Sequence, residues 1–153
     1  MSENFKQVKC ALLSINDDRL LLPNASLVEI VPIRNIINVA NKPKWVLGYL
    51  DWKGNSIPLV SIEAMAGVHM PSLASGDVKA VVVYALNGGK ESPFLSFLVQ
   101  GAPTIVNVFE TDVVADSQEA GHPVISHQIM LKGEQVSILD LEKLEALIKS
   151  VLG

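Results

Sequence analysis

The sequence contains a single cysteine, no long apolar run and no excess of positive charge. Cys10 cannot form a disulfide within the chain, which fits a reducing compartment. The longest apolar stretch, residues 80–86, is far shorter than the roughly 20 residues that a membrane-spanning helix requires. The first residues also lack the basic and apolar segments of a signal peptide. We therefore expect a soluble, cytoplasmic protein.

The charge balance argues against polyanionic partners. The chain has 12 basic and 16 acidic residues, which gives a net charge of -4. Proteins that bind nucleic acids usually present a basic face, and the anionic leaflet of a membrane attracts basic segments rather than acidic ones. We expect no nucleic-acid binding, and contact with a membrane array only through other proteins.

Residues that usually carry catalysis are sparse and scattered. His69, His122 and His127 lie in or beside predicted loops, where we expect them to be solvated. No cysteine or close acidic cluster completes a metal-binding set around them. Cys10 falls inside a predicted strand, away from any helix start that would activate its thiol. The sequence therefore predicts no catalytic site, no metal and no cofactor.

Short β-branched runs separated by turn residues dominate the chain, which is typical of an all-β barrel or sandwich. The predicted strands are Val8–Ile15, Arg19–Leu22, Leu27–Val31, Leu47–Trp52, Ser56–Val60, Val78–Leu86, Phe94–Val99, Pro103–Val108, Ile129–Leu131 and Gln135–Leu139. Loops are expected at Asn35–Lys44, Val68–Asp77 and Glu110–Pro123. Ser61 can cap a short helix that ends at Gly67, and Asp140 can cap a longer one over residues 140–151.

Two segments in the first half of the sequence have similar counterparts in the second half. "GYLDWKGNSIPLVSIE" (Gly48–Glu63) matches "QIMLKGEQVSILDLEKL" (Gln128–Leu144) around a shared Lys-Gly corner, and "VKCALLSINDD" matches "VKAVVVYALNGG". One domain spanning residues 1–153 is expected, built of two repeated β-units at about 8–66 and 78–140 with a C-terminal helix over 140–151. Units of this size are marginal alone. Packed together, they would leave a groove suited to binding other proteins.

Aromatic residues make up 5% of the chain, yet three of them flank the first Lys-Gly corner. Trp45 is expected in the core. Trp52 is either an interface anchor beside Lys53 or a cap over the end of a barrel. Glu29, a lone charge on an apolar strand, either faces water or marks a protein-binding edge.

The order of these pieces resembles the CheW family, the adaptor domain of bacterial chemosensory arrays, from Val8 to about Leu147. The strongest segment, "WVLGYLDWKGNSIPLVSIEAMAG", is similar to the family pattern V-x-G-x-x-N-x-R-G-x-x-x-P-V-x-D-x. "SLVEIVP" is similar to its V-x-E-I/V segment, and "FLVQGAPTIVNV" to its G-x-x-V-D-x-V-x-x-V segment. The C-terminal "LKGEQVSILDLEKL" is similar to its closing G-x-x-x-I-x-L-L-D-x-x-x-L.

The resemblance implies a mainly β fold of two SH3-like, five-stranded β-barrel subdomains packed around a shared core, with short helices and a C-terminal helix. It also implies a non-catalytic adaptor that couples methyl-accepting chemoreceptor tips to the regulatory domain of a CheA-type histidine kinase. Receptor helices would dock in the groove between the barrels. The partner-binding residues implied are Glu29, Ile30, Asp51, Trp52, Lys53 and Gly54.

The chain departs from the family pattern at four positions. Asp51 and Lys53 stand where the family has Asn and Arg, Ser61 where it has Asp, and Gln100 where it has the acidic residue of its V-D pair. Lysine keeps the charge of arginine but loses the rigid fork that grips a carboxylate. These departures indicate a divergent member, serving a chemosensory system for type IV pili and twitching motility of the ChpC or PilI kind.

A different class of function fits the same pattern of strands. A small β-barrel enzyme or ligand carrier would use the seam between the two units as a pocket. A tightly bound metabolite in the purified protein would favour this alternative over an adaptor.

Overall fold

The computed structural model describes residues 7–15, 18–68, 72–73, 76–86, 93–109, 113–119 and 122–152, with the backbone alone for 113–119. Strands dominate these ranges, as the sequence predicts, and two α-helices accompany them. The strands are β1 Gln7–Ile15, β2 Asp18–Pro23, β3 Leu27–Pro32, β4 Ile36–Ile37, β5 Val46–Trp52, β6 Asn55–Val60, β7 Val78–Tyr84, β8 Phe94–Phe109, β9 Val113–Glu119, β10 Ile125–Leu131 and β11 Glu134–Leu139. The helices are α1 Ile62–Met65 and α2 Leu141–Leu152.

One hydrogen-bonded path runs through most of the strands, in the order β4-β5-β6-β8-β1-β2-β11-β10-β9, while β7 pairs with β8 and with β3. The 16-residue β8 serves two groups of strands. Its residues 94–100 pair with β7, and its residues 104–109 together with Gln100 pair with β1. We call β3–β7 with the first part of β8 the first barrel, and β1, β2, β9–β11 with the rest of β8 the second barrel.

Three apolar cores follow from this arrangement. The first barrel encloses one that includes Leu50, Leu59 and Val82. The second encloses another that includes Leu12, Leu21 and Val136. A larger shared core lies between the barrels and is covered by α2; its fully buried members include Leu20, Val60, Ile62, Val81, Phe97 and Leu144.

Strands that contribute to two cores carry apolar residues on both faces. In β1, Cys10 and Leu12 point into the second barrel while Ala11 and Leu13 point into the shared core. Because successive side chains of a strand point to opposite faces, such strands read as continuous apolar runs. This explains why "CALL" and "AVVV" lack the alternation of a half-solvated strand.

The two Lys-Gly hairpins are superposable in register. In the pair β5–β6, Gly48 lies opposite Leu59 and Trp52 lies opposite Asn55. In the pair β10–β11, His127 lies opposite Ile138 and Leu131 lies opposite Glu134. Each of these four residues stands 79 positions after its counterpart in the first hairpin. Both hairpins shift register seven residues before the lysine, between Val46 and Gly48 in one and between Ile125 and His127 in the other. A chance resemblance between hairpins would not reproduce the position of a bulge.

The match extends into the helices that follow. Ser61 N–H bonds to the Trp45 carbonyl over 2.8 Å, and Asp140 N–H bonds to the Val124 carbonyl over the same distance. Ser61 and Asp140 then cap α1 and α2, each accepting a backbone N–H over 3.1 Å. Both caps were predicted from the sequence. Asp140 lies 79 residues after Ser61, which is the same separation as between the two hairpins.

The repeated units exchange hairpins in space. The hairpin β1–β2 pairs through β2 with β11 of the second unit, and the corresponding hairpin β7–β8 pairs through β8 with β6 of the first unit. Each barrel therefore combines strands from both halves of the chain. The hydrogen-bonded units therefore mix residues of the predicted ranges 8–66 and 78–140.

Several elements differ from the sequence prediction. The strand β10 begins at Ile125 rather than Ile129, and β7 ends at Tyr84 rather than Leu86. The strands predicted at 94–99 and 103–108 are one strand, β8, with Gly101 (φ +70°) beside the point where the pairing changes from β7 to β1. Pro103 falls between the two paired stretches, where no ladder hydrogen bond is required of it.

The predicted loops at Asn35–Lys44 and Glu110–Pro123 each contain a strand. β4 pairs with β5, and β9 pairs with β10. Both strands lie at an end of the sheet path, where polar or very short segments are tolerated and sequence patterning is weak. Residues 110–112 and 120–121 lie outside the described residues.

Within the described part of the chain, neither helix has the length and apolar character needed to cross a membrane.

Candidate functional site

The first Lys-Gly corner forms a two-residue turn between β5 and β6. Lys53 has φ +49° and Gly54 φ +80°, the pair of positive values of a type I′ hairpin turn. Trp52, the last residue of β5, points to the same face as Leu50 and packs on the core of the first barrel. The turn therefore places the indole at the rim of that barrel and the lysine beside it.

Glu29 of β3 joins this rim. The Trp52 indole N–H donates to Glu29 Oε1 over 3.1 Å, and Lys53 Nζ lies 3.5 Å from the same oxygen. Lys53 Nζ also stands 5.1 Å from the centroid of the Trp52 ring, within the range of a cation–π contact. We call Glu29, Trp52 and Lys53 the rim cluster.

Two more aromatic residues extend the rim cluster along the barrel edge. The ring of Phe94, at the start of β8, meets Trp52 edge-to-face with centroids 4.9 Å apart. Tyr84, the last residue of β7, lies 5.8 Å from Phe94 and is 50% exposed. Edge-to-face pairs of this kind add about 0.5–1.5 kcal/mol beyond area burial. The result is an aromatic strip that runs from solvent to the barrel interior.

The rim cluster is accessible to a partner. The side chains of Lys53 and Glu29 are 69% and 43% exposed, so their ion pair contributes on the order of 0–1 kcal/mol to stability. Tryptophan is enriched at interfaces, and their rims are polar and accessible to solvent. Trp52 caps the barrel, which is one of the two alternatives left open by the sequence. It is also partly exposed, and the other alternative, an interface anchor, stays a prediction.

The structure brings together some of the predicted partner-binding residues and separates others. Glu29, Trp52 and Lys53 form one cluster, with Gly54 beside them in the turn. Asp51 is exposed on the β5 face opposite to Trp52. Ile30 packs against the shared core on the β3 face opposite to Glu29, which removes it from the rim.

The substitution of Ser61 for the family's aspartate leaves the local structure intact. Its hydroxyl accepts the Ala64 N–H over 3.1 Å at the start of α1. Serine and aspartate are about equally good at this position of a helix. Ser61 is fully buried, so this departure exchanges a charged cap for a neutral one inside the fold while the cap itself is kept.

The sequence predicted that His122 would be a solvated loop residue, and this prediction is wrong. Its Nδ1 accepts the Val124 N–H over 3.1 Å, so the ring proton lies on Nε2, which donates to the Ile62 carbonyl over 2.9 Å. The imidazole thus links the chain before β10 to the first residue of α1. His127 is exposed on β10, and His69 lies outside the described residues.

Cys10 lies in the second barrel, 6% exposed. Burial raises the pKa of its thiol above the ordinary value, because a low-dielectric environment disfavours the thiolate. The thiol borders an open apolar cavity of about 260 Å³ that also contacts Val8, Leu21 and Ile129. The seam between the barrels, where the alternative function would need a pocket, holds the buried side chains of the shared core.

Sequence reasoning did not identify Phe94 and Tyr84 as part of the site. Both lie more than thirty residues from Trp52 along the chain, at the mouth of the hairpin β7–β8. The similarity between the two hairpins is the signal that could have located these residues. Tyr84 pairs with Phe94 in β7–β8 at the place where Ser14 pairs with Arg19 in β1–β2.

The comparisons with known proteins agree with this architecture. A family model described as CheW-like domain matches residues 9–148. Among solved structures, 15 chains match, including the scaffolding protein TtCheW from Thermoanaerobacter tengcongensis. That structure superposes with a TM-score of 0.73 at 14% sequence identity, covering 88% of this chain and 89% of the other. At this identity the likeness shows the fold alone. No curated protein sequence matches the chain.

Proposed function

This chain belongs to the family of CheW-like domains, and we propose that it is a non-catalytic adaptor that couples chemoreceptors to a CheA-type histidine kinase. The family supplies scaffolds for chemotaxis signalling rather than enzymes. The observation that carries the proposal is the rim cluster, in which a tryptophan on an aromatic strip is bordered by an exposed ion pair. Aromatic residues are enriched at interfaces, and the rims of interfaces are polar.

The rim cluster is the proposed docking site for the tip of a methyl-accepting chemoreceptor. Trp52 offers a large rigid surface, and Lys53 and Glu29 offer one charge of each sign at its edge. Tryptophan dominates the energy of many interfaces, while charges at the rim set orientation and association rate. Asp51 and Gly54 would form the outer edge of this surface. Ile30 would act indirectly, by holding β3 in place.

The kinase contact is proposed to use the barrel ends. The regulatory domain of a CheA-type kinase is itself CheW-like, so two related folds would meet end to end. Exposed apolar residues on the second barrel, Val8 and Ile105 among them, offer the apolar area that such a contact needs.

We further propose that the chain serves a chemosensory system of the type IV pilus kind, in the cytoplasm. The support is the replacement of the family's Arg by Lys53 with Trp52 beside it. In this chain the lysine and the indole share one carboxylate oxygen, Glu29 Oε1, where a bidentate arginine would use both oxygens. A receptor that fits this rim would differ from one that fits an arginine.

Binding of the purified protein to a receptor tip fragment and to a CheA-type regulatory domain, measured by isothermal titration calorimetry, tests the adaptor role. We expect Lys53→Glu and Trp52→Ala to weaken receptor binding by about tenfold or more, the loss typical of an interface anchor. Lys143→Glu, a charge reversal at an exposed position of α2, is the matched control and should leave binding unchanged.

Two results would count against the proposal. Absence of binding to both partners by the wild-type protein would refute the adaptor role. Binding that is weakened equally by Lys53→Glu and Lys143→Glu would refute the rim cluster as the site, because the effect would then reflect net charge alone.

A further inference from the structure

The second barrel contains a counterpart of the rim cluster. Leu131 precedes Lys132 at the tip of β10 as Trp52 precedes Lys53 at the tip of β5. Val82 of β7 matches Leu12 of β1. Glu29 of β3 lies opposite Val82, and Thr104 of β8 lies opposite Leu12, so Thr104 occupies the position of Glu29. The backbone thus sets Leu131, Lys132 and Thr104 where the first barrel has Trp52, Lys53 and Glu29.

The two sites differ in what fills them. In the first barrel, the indole of Trp52 covers the interior and meets Phe94. In the second barrel, the shorter Leu131 leaves a pocket of about 210 Å³. Its floor is formed by Leu12, Val106 and Leu131, and its rim by polar residues.

Arg19 stands in the second barrel where Phe94 stands in the first. Its guanidinium donates from one nitrogen to both carboxylate oxygens of Glu134, over 2.7 and 2.9 Å. This ion pair holds the arginine at the pocket rim, beside Lys132. The rim therefore carries the cationic side chains of Arg19 and Lys132, and the Glu134 carboxylate paired with Arg19, around an apolar floor.

The size and chemistry of the pocket specify an occupant. An apolar cavity of about 150 Å³ in a protein core is large enough to take up benzene, so the volume here accommodates an aromatic ring. Guanidinium and ammonium groups at the edge favour the face of an aromatic ring over an aliphatic chain. In the first barrel, the matching position is filled by the Trp52 indole.

We propose that the pocket bounded by Leu131, Thr104 and Arg19 binds an aromatic side chain of a partner polypeptide, tryptophan by preference. The partner's ring would take in the second barrel the place that Trp52 takes in the first. This is a binding site on a different barrel from the rim cluster, and it goes beyond the proposed receptor contact.

The experiment uses N-acetyl-tryptophanamide as a probe of the intact protein, followed through the methyl resonances by NMR. We expect titration to shift the methyl signals of Leu12, Val106 and Leu131 together. N-acetyl-leucinamide should bind about tenfold more weakly, because it buries less apolar surface in the pocket.

Three variants make the test specific. Leu131→Trp supplies the ring from within the chain, as the first barrel does, and should abolish the shifts. Val106→Phe fills the pocket from the opposite strand and serves if Leu131→Trp does not fold. Met130→Trp, at the neighbouring exposed position of β10, adds the same ring outside the pocket and should bind the probe like the wild type.

The proposal is overturned if the probe leaves these methyl signals unshifted at millimolar concentration. It is equally overturned if the folded pocket-filling variants retain the shifts, or if the leucine analogue binds as tightly as the tryptophan analogue. Shifts confined to Val8 and Ile129 would place the probe in the other cavity and would also refute it.

Discussion

Trp52 donates its indole N–H to the Glu29 carboxylate over 3.1 Å, and this bond joins the tip of β5 to β3. Lys53 reaches the same carboxylate oxygen from the turn. A single acidic side chain therefore fixes both residues that the first Lys-Gly hairpin presents at its tip. The conformation of the proposed docking surface depends on that carboxylate.

Removal of the Trp52 ring should destabilise the first barrel. Trp52→Ala loses the edge-to-face contact with Phe94 and the bond to Glu29, and we expect a loss of about 2–4 kcal/mol in the free energy of unfolding, somewhat below a fully buried site. Trp52→Phe keeps an aromatic ring but loses the hydrogen bond to Glu29, and should lower the free energy of unfolding by about 1 kcal/mol. Urea unfolding measures both. Equal losses in the two variants would show that the hydrogen bond, and not the ring, fixes the rim.

Glycine is required at position 48 for a different reason than at the turns. A Cβ on Gly48 would lie 2.1 Å from the Ile37 carbonyl oxygen of β4, whereas a Cβ on Gly54 or Gly133 meets nothing within 4 Å. Gly48→Ala should cost more than about 3 kcal/mol or displace β4, because both backbone strain and a steric clash oppose it.

Gly54→Ala and Gly133→Ala should each cost about 1–2 kcal/mol, the penalty of a left-handed conformation for a residue with a Cβ. Their φ values, +80° and +84°, are nearly the same. Thermal unfolding of the three variants provides the comparison. A Gly48→Ala variant as stable as the two turn variants would contradict the close approach of β4 to β5.

His122 is predicted to stabilise the junction between α1 and β10. His122→Ala removes two hydrogen bonds and leaves the N–H of the fully buried Val124 without its acceptor, at a cost of about 1–3 kcal/mol. His127→Ala, at an exposed position of the same region, should change stability by less than about 0.5 kcal/mol. Chemical denaturation of both histidine variants gives the contrast, and equal effects would refute the assigned role of His122.

The buried thiol of Cys10 should react slowly and should make stability depend on alkaline pH. Burial raises its pKa in the fold, so the folded chain keeps the proton while the unfolded chain releases it above about pH 8.5. The stabilisation is complete below that pH and is lost as the pH rises toward the higher pKa of the folded thiol.

Cys10→Ala provides the comparison, since Ala80 occupies the matching position of β7. Its unfolding free energy should decline less between pH 8 and 10 than that of the wild type. Alkylation by iodoacetamide should be at least about tenfold slower in the folded wild type than in urea. A rate equal in both states would show that the thiol is accessible.

The exchange of hairpins predicts how the chain behaves when divided. We propose that residues 1–68 and 76–153 expressed separately do not fold, because each lacks the hairpin that completes its barrel. Mixed together they should assemble, since the missing strand pairs are then supplied between the pieces. Circular dichroism of the separate and mixed pieces tests this, with the intact chain as the control. A folded single piece would show that one half of the sequence is a barrel by itself.

The sequence was sufficient for every feature encoded by neighbouring residues. The Lys-Gly corners predicted both hairpin turns, because glycine readily adopts the positive φ that such a turn requires. Ser61 and Asp140 predicted both helix starts by their capping oxygens. The two similar segments predicted two similar hairpins, and β5–β6 and β10–β11 have matching registers.

What the sequence alone determined about this protein is therefore its repeated mainly β units, their turns and their caps, all of which depend on residues close together in the chain. Only the tertiary structure decided which hairpin completes which barrel, because strands with apolar residues on both faces, such as β1 and β7, are compatible with either partner. It also decided that Trp52 meets Glu29 and Phe94, and that Leu131 leaves the matching place open. Those contacts join segments 23 or more residues apart, and their geometry is fixed by the packing of whole strands.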